Sequence, residues 1–105
     1  MKIHLTRAIK YKDADLNTLE LDLDSLTGRD LIDTEETLKK LGLTVAAWEY
    51  SRTFLLYVAA KSAHIPAEIL KDLSAVDFTN VVNEVLAFLG GTASSDKTDT
   101  PSGKS

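Results

Sequence analysis

Glu20, Asp22 and Asp24 recur with period two, which sets three carboxylates on one face of an extended segment. Such a face could attract a hard cation. A calcium-like ion, however, takes about six oxygen ligands from a shaped loop, and these acids oppose Lys2 and His4 in the strand pairing derived below. A solvated, charge-paired strand face is the simpler reading. His4 and His64 are the two imidazoles, far apart in sequence and without partners at metal-ligand spacing. There is no cysteine, so a thiolate nucleophile, a thiolate metal site and a structural disulfide are all excluded. A nucleophile–base–orienter set would need one of the two histidines as its base, and none can be assembled. The expectation is a non-enzyme with no catalytic residue, no metal and no cofactor.

Two short strings echo motifs that do carry chemistry. Asp24-Ser25-Leu26 resembles the Asp-Ser-Leu at which acyl carrier proteins hold a phosphopantetheine arm, which would make Ser25 a modification site. Carriers are all-helical, with a long helix before that serine. Here the preceding residues alternate with period two, and Gly28 stands where the carrier helix should be under way. The plainer reading is a strand end leading to a helix cap. Gly103-Lys104-Ser105 echoes the end of a G-x-x-x-x-G-K-[ST] phosphate loop. Thr98 occupies the first glycine position and no helix follows, so a solvated tail is the better account.

The elements that would position any site can be read from periodicity. Ile3 and Leu5 alternate with Lys2, His4 and Thr6, and Leu19, Leu21 and Leu23 alternate with the three acids. Both read as half-buried strands, with Lys10–Asp15 as the loop between them. Placing Ile3 opposite Leu23 and Leu5 opposite Leu21 sets Lys2 against Asp24, His4 against Asp22 and Thr6 against Glu20. Apolar and charge matches then select one register. Thr27 and Asp30 have the spacing of a capping box, and Gly42 suits a helix stop. Val45 to about Ala63 holds no glycine or proline and is apolar nearly all round, so it reads as a central helix. Phe54, Leu55 and Val58 lie on one face with Ala47 and Trp48, while Leu56, Tyr57 and Ala60 share the other side with Glu49, Arg52 and Thr53. His64-Ile65-Pro66 breaks this helix, and Ala67–Asp72 is a short helical turn. Ser74 and Asp77 form another capping box. Phe78, Val81, Val82, Val85, Leu86 and Leu89 make the buried stripe of a last helix, ended by Gly90-Gly91.

These elements define an α+β fold: an N-terminal antiparallel hairpin packed on a bundle of three main helices. The 105 residues hold one domain, residues 1–90, followed by a polar tail, 91–105, that lacks large apolar side chains and is expected to be disordered. Net charge is -4 and the basic residues are scattered, which disfavours nucleic acid. Neither a signal peptide nor a membrane span is legible, so the chain reads as cytoplasmic. Apolar surface on the middle helix is the feature left to explain. Tyr50, Leu56 and Tyr57 are the candidate partner-binding residues.

Taken in order, Leu19-Glu20-Leu21, Thr27-Gly28-Arg29-Asp30-Leu31, the apolar middle helix, and Leu73 and Asp77 with Val81, Val85, Phe88 and Leu89 resemble the tail assembly chaperones of long-tailed bacteriophages. The similarity covers about residues 3–90, with Ala8-Ile9 where that family has Pro-Ile. The resemblance implies a non-virion protein of viral tail assembly, acting in the cytoplasm of the infected bacterial host. It would coat the long helical tape measure protein and help recruit tail tube subunits. A frameshifted longer form is common in the family, and the polar tail would suit the linker to such an extension. Association with further copies of the chain stays open. Another small phage interaction protein or a minor virion component is the alternative, and a carrier modified at Ser25 is the third.

Overall fold

The computed structural model describes residues 1–45 and 51–90. The chain runs β1 (Lys2–Tyr11), β2 (Ala14–Glu20), a single 3-10 turn (Leu23–Ser25), then α1 (Gly28–Lys40), α2 (Arg52–Ala63), α3 (Ala67–Leu70) and α4 (Ala75–Leu89). The two strands form one antiparallel sheet, so the expected architecture of a hairpin on helices holds.

The register differs from the sequence expectation. Ile3 pairs with Leu19, Lys2 with Glu20 and His4 with Thr18, and the far end pairs Tyr11 with Ala14. The second strand is therefore 14–20, and Leu21 and Leu23 lie beyond it. Two features cause the difference, the turn and an irregularity in β1. Lys12 and Asp13 both have positive φ, 53° and 63°, the pattern of a two-residue hairpin turn that follows the strand twist. A turn at 12–13 with unbroken pairing would set Ile3 against Asp22, and the irregularity in β1 moves it three residues further, to Leu19. Between His4 and Ile9 the ladder is irregular: Leu5–Ala8 on β1 stand against Asn17 alone on β2.

The helices start and stop for local reasons. At α1 the Thr27 hydroxyl accepts the Asp30 N–H at 3.3 Å, and the Asp30 carboxylate accepts the Thr27 N–H at 2.8 Å. The expected capping box is complete. At its end the Leu43 N–H reaches the Leu38 carbonyl and the Gly42 N–H reaches that of Lys39, with Gly42 at φ 98°. This is a Schellman cap, and the positive φ is why glycine serves there.

The middle helix is shorter than expected. It begins at Arg52, because the Ser51 hydroxyl accepts the Phe54 N–H at 3.2 Å and Ser51 itself is extended. Val45 is not helical, and the expected helical positions Ala47, Trp48 and Glu49 lie outside the described residues. The helix ends one residue before Ile65-Pro66 by a second Schellman cap. The Ile65 N–H meets the Ala60 carbonyl at 3.1 Å, and the Ser62 carbonyl holds the Asp22 N–H at 3.2 Å. His64 takes the left-handed position at φ 59°.

The core forms around α2, whose Phe54, Leu55, Leu56, Val58, Ala59 and Ala60 are all buried. Ile9, Leu19, Leu21 and Leu23 close over it from the N-terminal side, Leu38 from α1, and Val81, Val82 and Val85 from α4. The expected α4 stripe is thus the one that is buried, with Phe78, Leu86 and Leu89 at its margin. No described helix is long and apolar enough to cross a membrane. The expected disordered tail, 91–105, lies outside the described residues.

Candidate functional site

The hairpin is fixed against the helices by Asp77. Its carboxylate accepts from the Thr6 N–H at 3.0 Å, the Thr6 hydroxyl at 3.1 Å and the Arg7 N–H at 3.2 Å. Those amides are free to turn outward because β1 is irregular at that point. Asp77 was expected to complete a capping box with Ser74. Half of it forms: the Ser74 hydroxyl accepts the Asp77 N–H at 3.2 Å, while the Asp77 carboxylate crosses to β1 instead. Burial alone would push this carboxyl up. The Thr6 and Arg7 amides and the Ser74 and Thr6 hydroxyls outweigh burial and hold it below the ordinary carboxylate range.

Pinning β1 to α4 places the hairpin tip beside α2. Between them lies an open groove of about 480 Å³. Tyr11 comes from the end of β1, Thr34 and Thr37 from α1, and Tyr57, Ala60 and Lys61 from α2. The Schellman turn closes one end with His64, Ile65, Pro66 and Ala67. Lys12 Nζ stands 5.4 Å from the Tyr11 ring centroid and Lys71 Nζ 5.7 Å from that of Tyr57. Lys61 is 3.9 Å from Asp30. The Asp30 carboxyl is held low chiefly by the Thr27 amide, which outweighs the upward push of desolvation, with the Thr27 hydroxyl and Lys61 adding to the lowering. A hydrogen bond from Lys71 to Glu68, at 2.7 Å, raises the Lys71 ammonium. A second hollow, about 310 Å³ at Ala75, Val76, Thr79 and Asn80, lies at the start of α4 and has no titratable group in its lining.

Of the three residues expected to bind a partner, Tyr57 lines this groove and is half-buried. Leu56 does not: it is 3% exposed and packs in the core, because the small domain surrounds α2 on that side. Tyr50 lies outside the described residues. The sequence reading missed Tyr11, Lys61 and His64 at the groove. Tyr11 fell in a supposed loop, and the turn at Lys12-Asp13, had it been read as a turn, would have put Tyr11 at a strand end.

The candidate chemistry of the sequence disperses. Ser25 lies in the 3-10 turn, and its hydroxyl donates to the Asp22 carbonyl at 2.8 Å. A strand precedes it where a carrier has a helix. Glu20 pairs with the N-terminal ammonium at 3.1 Å, and Lys2 stands opposite Glu20, not Asp24. His4 lies exposed on β1 opposite Thr18, not Asp22. Among the described residues, no group of three His, Cys, Asp or Glu side chains could hold a metal ion. Gly103-Lys104-Ser105 lies outside the described residues.

Compared with family models, curated proteins and solved structures, the chain has no significant match in any of the three.

Proposed function

We propose that this chain is a non-enzymatic tail assembly chaperone that holds a helical segment of a phage tape measure protein and helps recruit tail tube subunits in the infected cell. The observation that carries this reading is the open groove of about 480 Å³ at Tyr11 and Tyr57, lined chiefly by aromatic and apolar side chains. A concave apolar surface with aromatic anchors suits a helix laid into a groove. The ordered motif from Leu19 to Leu89 supports the same reading through its resemblance to that family. Among the described residues, each clearly shifted titratable group, Asp30, Lys71 and Asp77, is accounted for by a structural hydrogen bond.

Co-expression with a phage tape measure protein from the same genome tests this function. The expected result is a soluble complex that co-purifies. A tape measure protein that stays insoluble and does not co-purify would overturn the proposal. Mass spectrometry of purified virions separates the alternative, a minor virion component, which would be present in the particle where a chaperone is missing.

A further inference from the structure

We infer that the groove selects an acidic amphipathic helix, which sets apolar anchors between Tyr11 and Tyr57 and carboxylates over the cations around them. This rests on the proposed function and specifies the chemistry of its client segment.

The chain as a whole is acidic, with net charge -4. The groove inverts that sign. Its lining holds Lys61 and His64 and no carboxylate. Each of its two tyrosines has a lysine ammonium within 6 Å of the ring centroid, Lys12 at 5.4 Å and Lys71 at 5.7 Å. Two of the three lysines have acidic neighbours. Lys71 is closed on Glu68 at 2.7 Å. Lys61 sits 3.9 Å from Asp30, whose carboxylate is already bound more tightly by the Thr27 amide at 2.8 Å. Lys61 therefore keeps donors for a second carboxylate. Lys12 makes no ion pair with a described residue.

The carboxyl end of α2 also faces this groove, and its partial negative charge would oppose an acidic partner. Here the Ala60 and Lys61 carbonyls are taken by the N–H groups of Ile65 and His64, so that opposition is largely covered. A groove of about 480 Å³ has room for ~2 large anchor side chains, which a helix presents together at i and i+4. Complementary charge at the rim then selects among helices with equal apolar stripes.

The test uses the full chain, labelled for amide NMR, and two synthetic amphipathic helices with the same leucine stripe. One carries glutamates beside the stripe, the other lysines. The expected result is at least about tenfold tighter binding of the glutamate peptide, or ~1.4 kcal/mol. It should weaken with added salt, with shifts at Tyr57, Lys61 and His64. Lys61→Met should narrow the preference and Lys61→Glu should reverse it. Equal or tighter binding of the lysine peptide, or shifts confined to β2 or the start of α4, would overturn the inference. So would groove shifts on simple dilution, which would assign the site to a second copy, or contacts from residues 91–105. Failure here with intact tape measure co-purification leaves the proposed function standing. Glutamate-peptide binding without any tape measure complex defeats that function and keeps the acid-selective groove.

Discussion

Both carboxylate oxygens of Asp77 lie 3.0 Å from the Thr6 amide nitrogen, across 71 residues of chain. A side chain on the first turn of α4 thus takes the hydrogen bond that the irregular stretch of β1 cannot make with β2. The residue is fully buried, with no exposed surface. This one carboxylate joins the hairpin to the helices and so sets where Tyr11 stands relative to Tyr57.

Asp77→Ala removes the acceptor for two amides and a hydroxyl at once. Each buried donor left unpaired costs about 1–3 kcal/mol. Partial rescue by water lowers the sum, so the expected loss is about 3 kcal/mol, measured by urea denaturation. Thr6→Val keeps both amide bonds, removes the hydroxyl's bonds to Asp77 and Ser74, and should cost about 1 kcal/mol. Equal, small effects from both would show that Asp77 does not bear the hairpin.

The same carboxylate fixes a pH dependence. The Asp77 and Asp30 carboxyls bind their protons less readily when folded than when unfolded. Their contribution to stability is therefore complete above the ordinary unfolded value of about 3.9. It is lost as pH falls below that value and through the lowered folded values. Denaturation midpoints should be flat from neutrality to about pH 5 and fall steeply below about pH 4. Asp77→Asn should be less stable at neutral pH and show a shallower acid limb. An acid limb unchanged by Asp77→Asn would contradict this assignment.

At the hairpin turn, Asp13 holds φ 63° without the freedom of glycine. Asp13→Gly should stabilise by about 0.5–1 kcal/mol, since the left-handed backbone costs an L-residue ~1–2 kcal/mol and glycine entropy offsets part of that gain. A rise of several degrees in Tm is expected. Asp13→Val should lower Tm, because a β-branched residue resists positive φ. A hairpin that ignored both changes would not turn at 12–13.

Neighbouring residues on α2 should separate folding from binding. Leu56 is core, so Leu56→Ala should cost about 2–5 kcal/mol. Tyr57 is half-buried at the groove, so Tyr57→Ser should cost only about 1–2 kcal/mol. Circular dichroism melts check the difference. A larger loss at Tyr57 than at Leu56 would mean that the two have exchanged roles.

Helix boundaries with local causes were readable from the chain. Thr27 with Asp30 gave the start of α1, Gly42 its end, and the apolar recurrence from Phe78 to Leu89 the buried face of α4. The pairing of β1 with β2 was not, because Lys12-Asp13 lacks the Asn-Gly signature of a tight turn, no residue marks the irregularity between His4 and Ile9, and Leu21 and Leu23 continue the alternation past the strand. Asp77 looked like a local cap because capping uses the same residue types. Only the packed fold shows that its carboxylate has a distant use. Of the candidate site, Tyr57 was legible as an aromatic on the less apolar side of α2. Leu56 was misplaced because a helix that is apolar all round gives no wheel face to tell core from surface. Tyr11, Lys61 and His64 meet only through the hairpin register and the turn after α2, which no spacing in the sequence records.

The most direct test is co-purification of the tape measure protein with the wild-type chain and with Tyr57→Ser, each shown to be folded. The account expects a stable complex with the wild type and at least about tenfold weaker capture by the variant. Equal capture by both would contradict the groove as the client site.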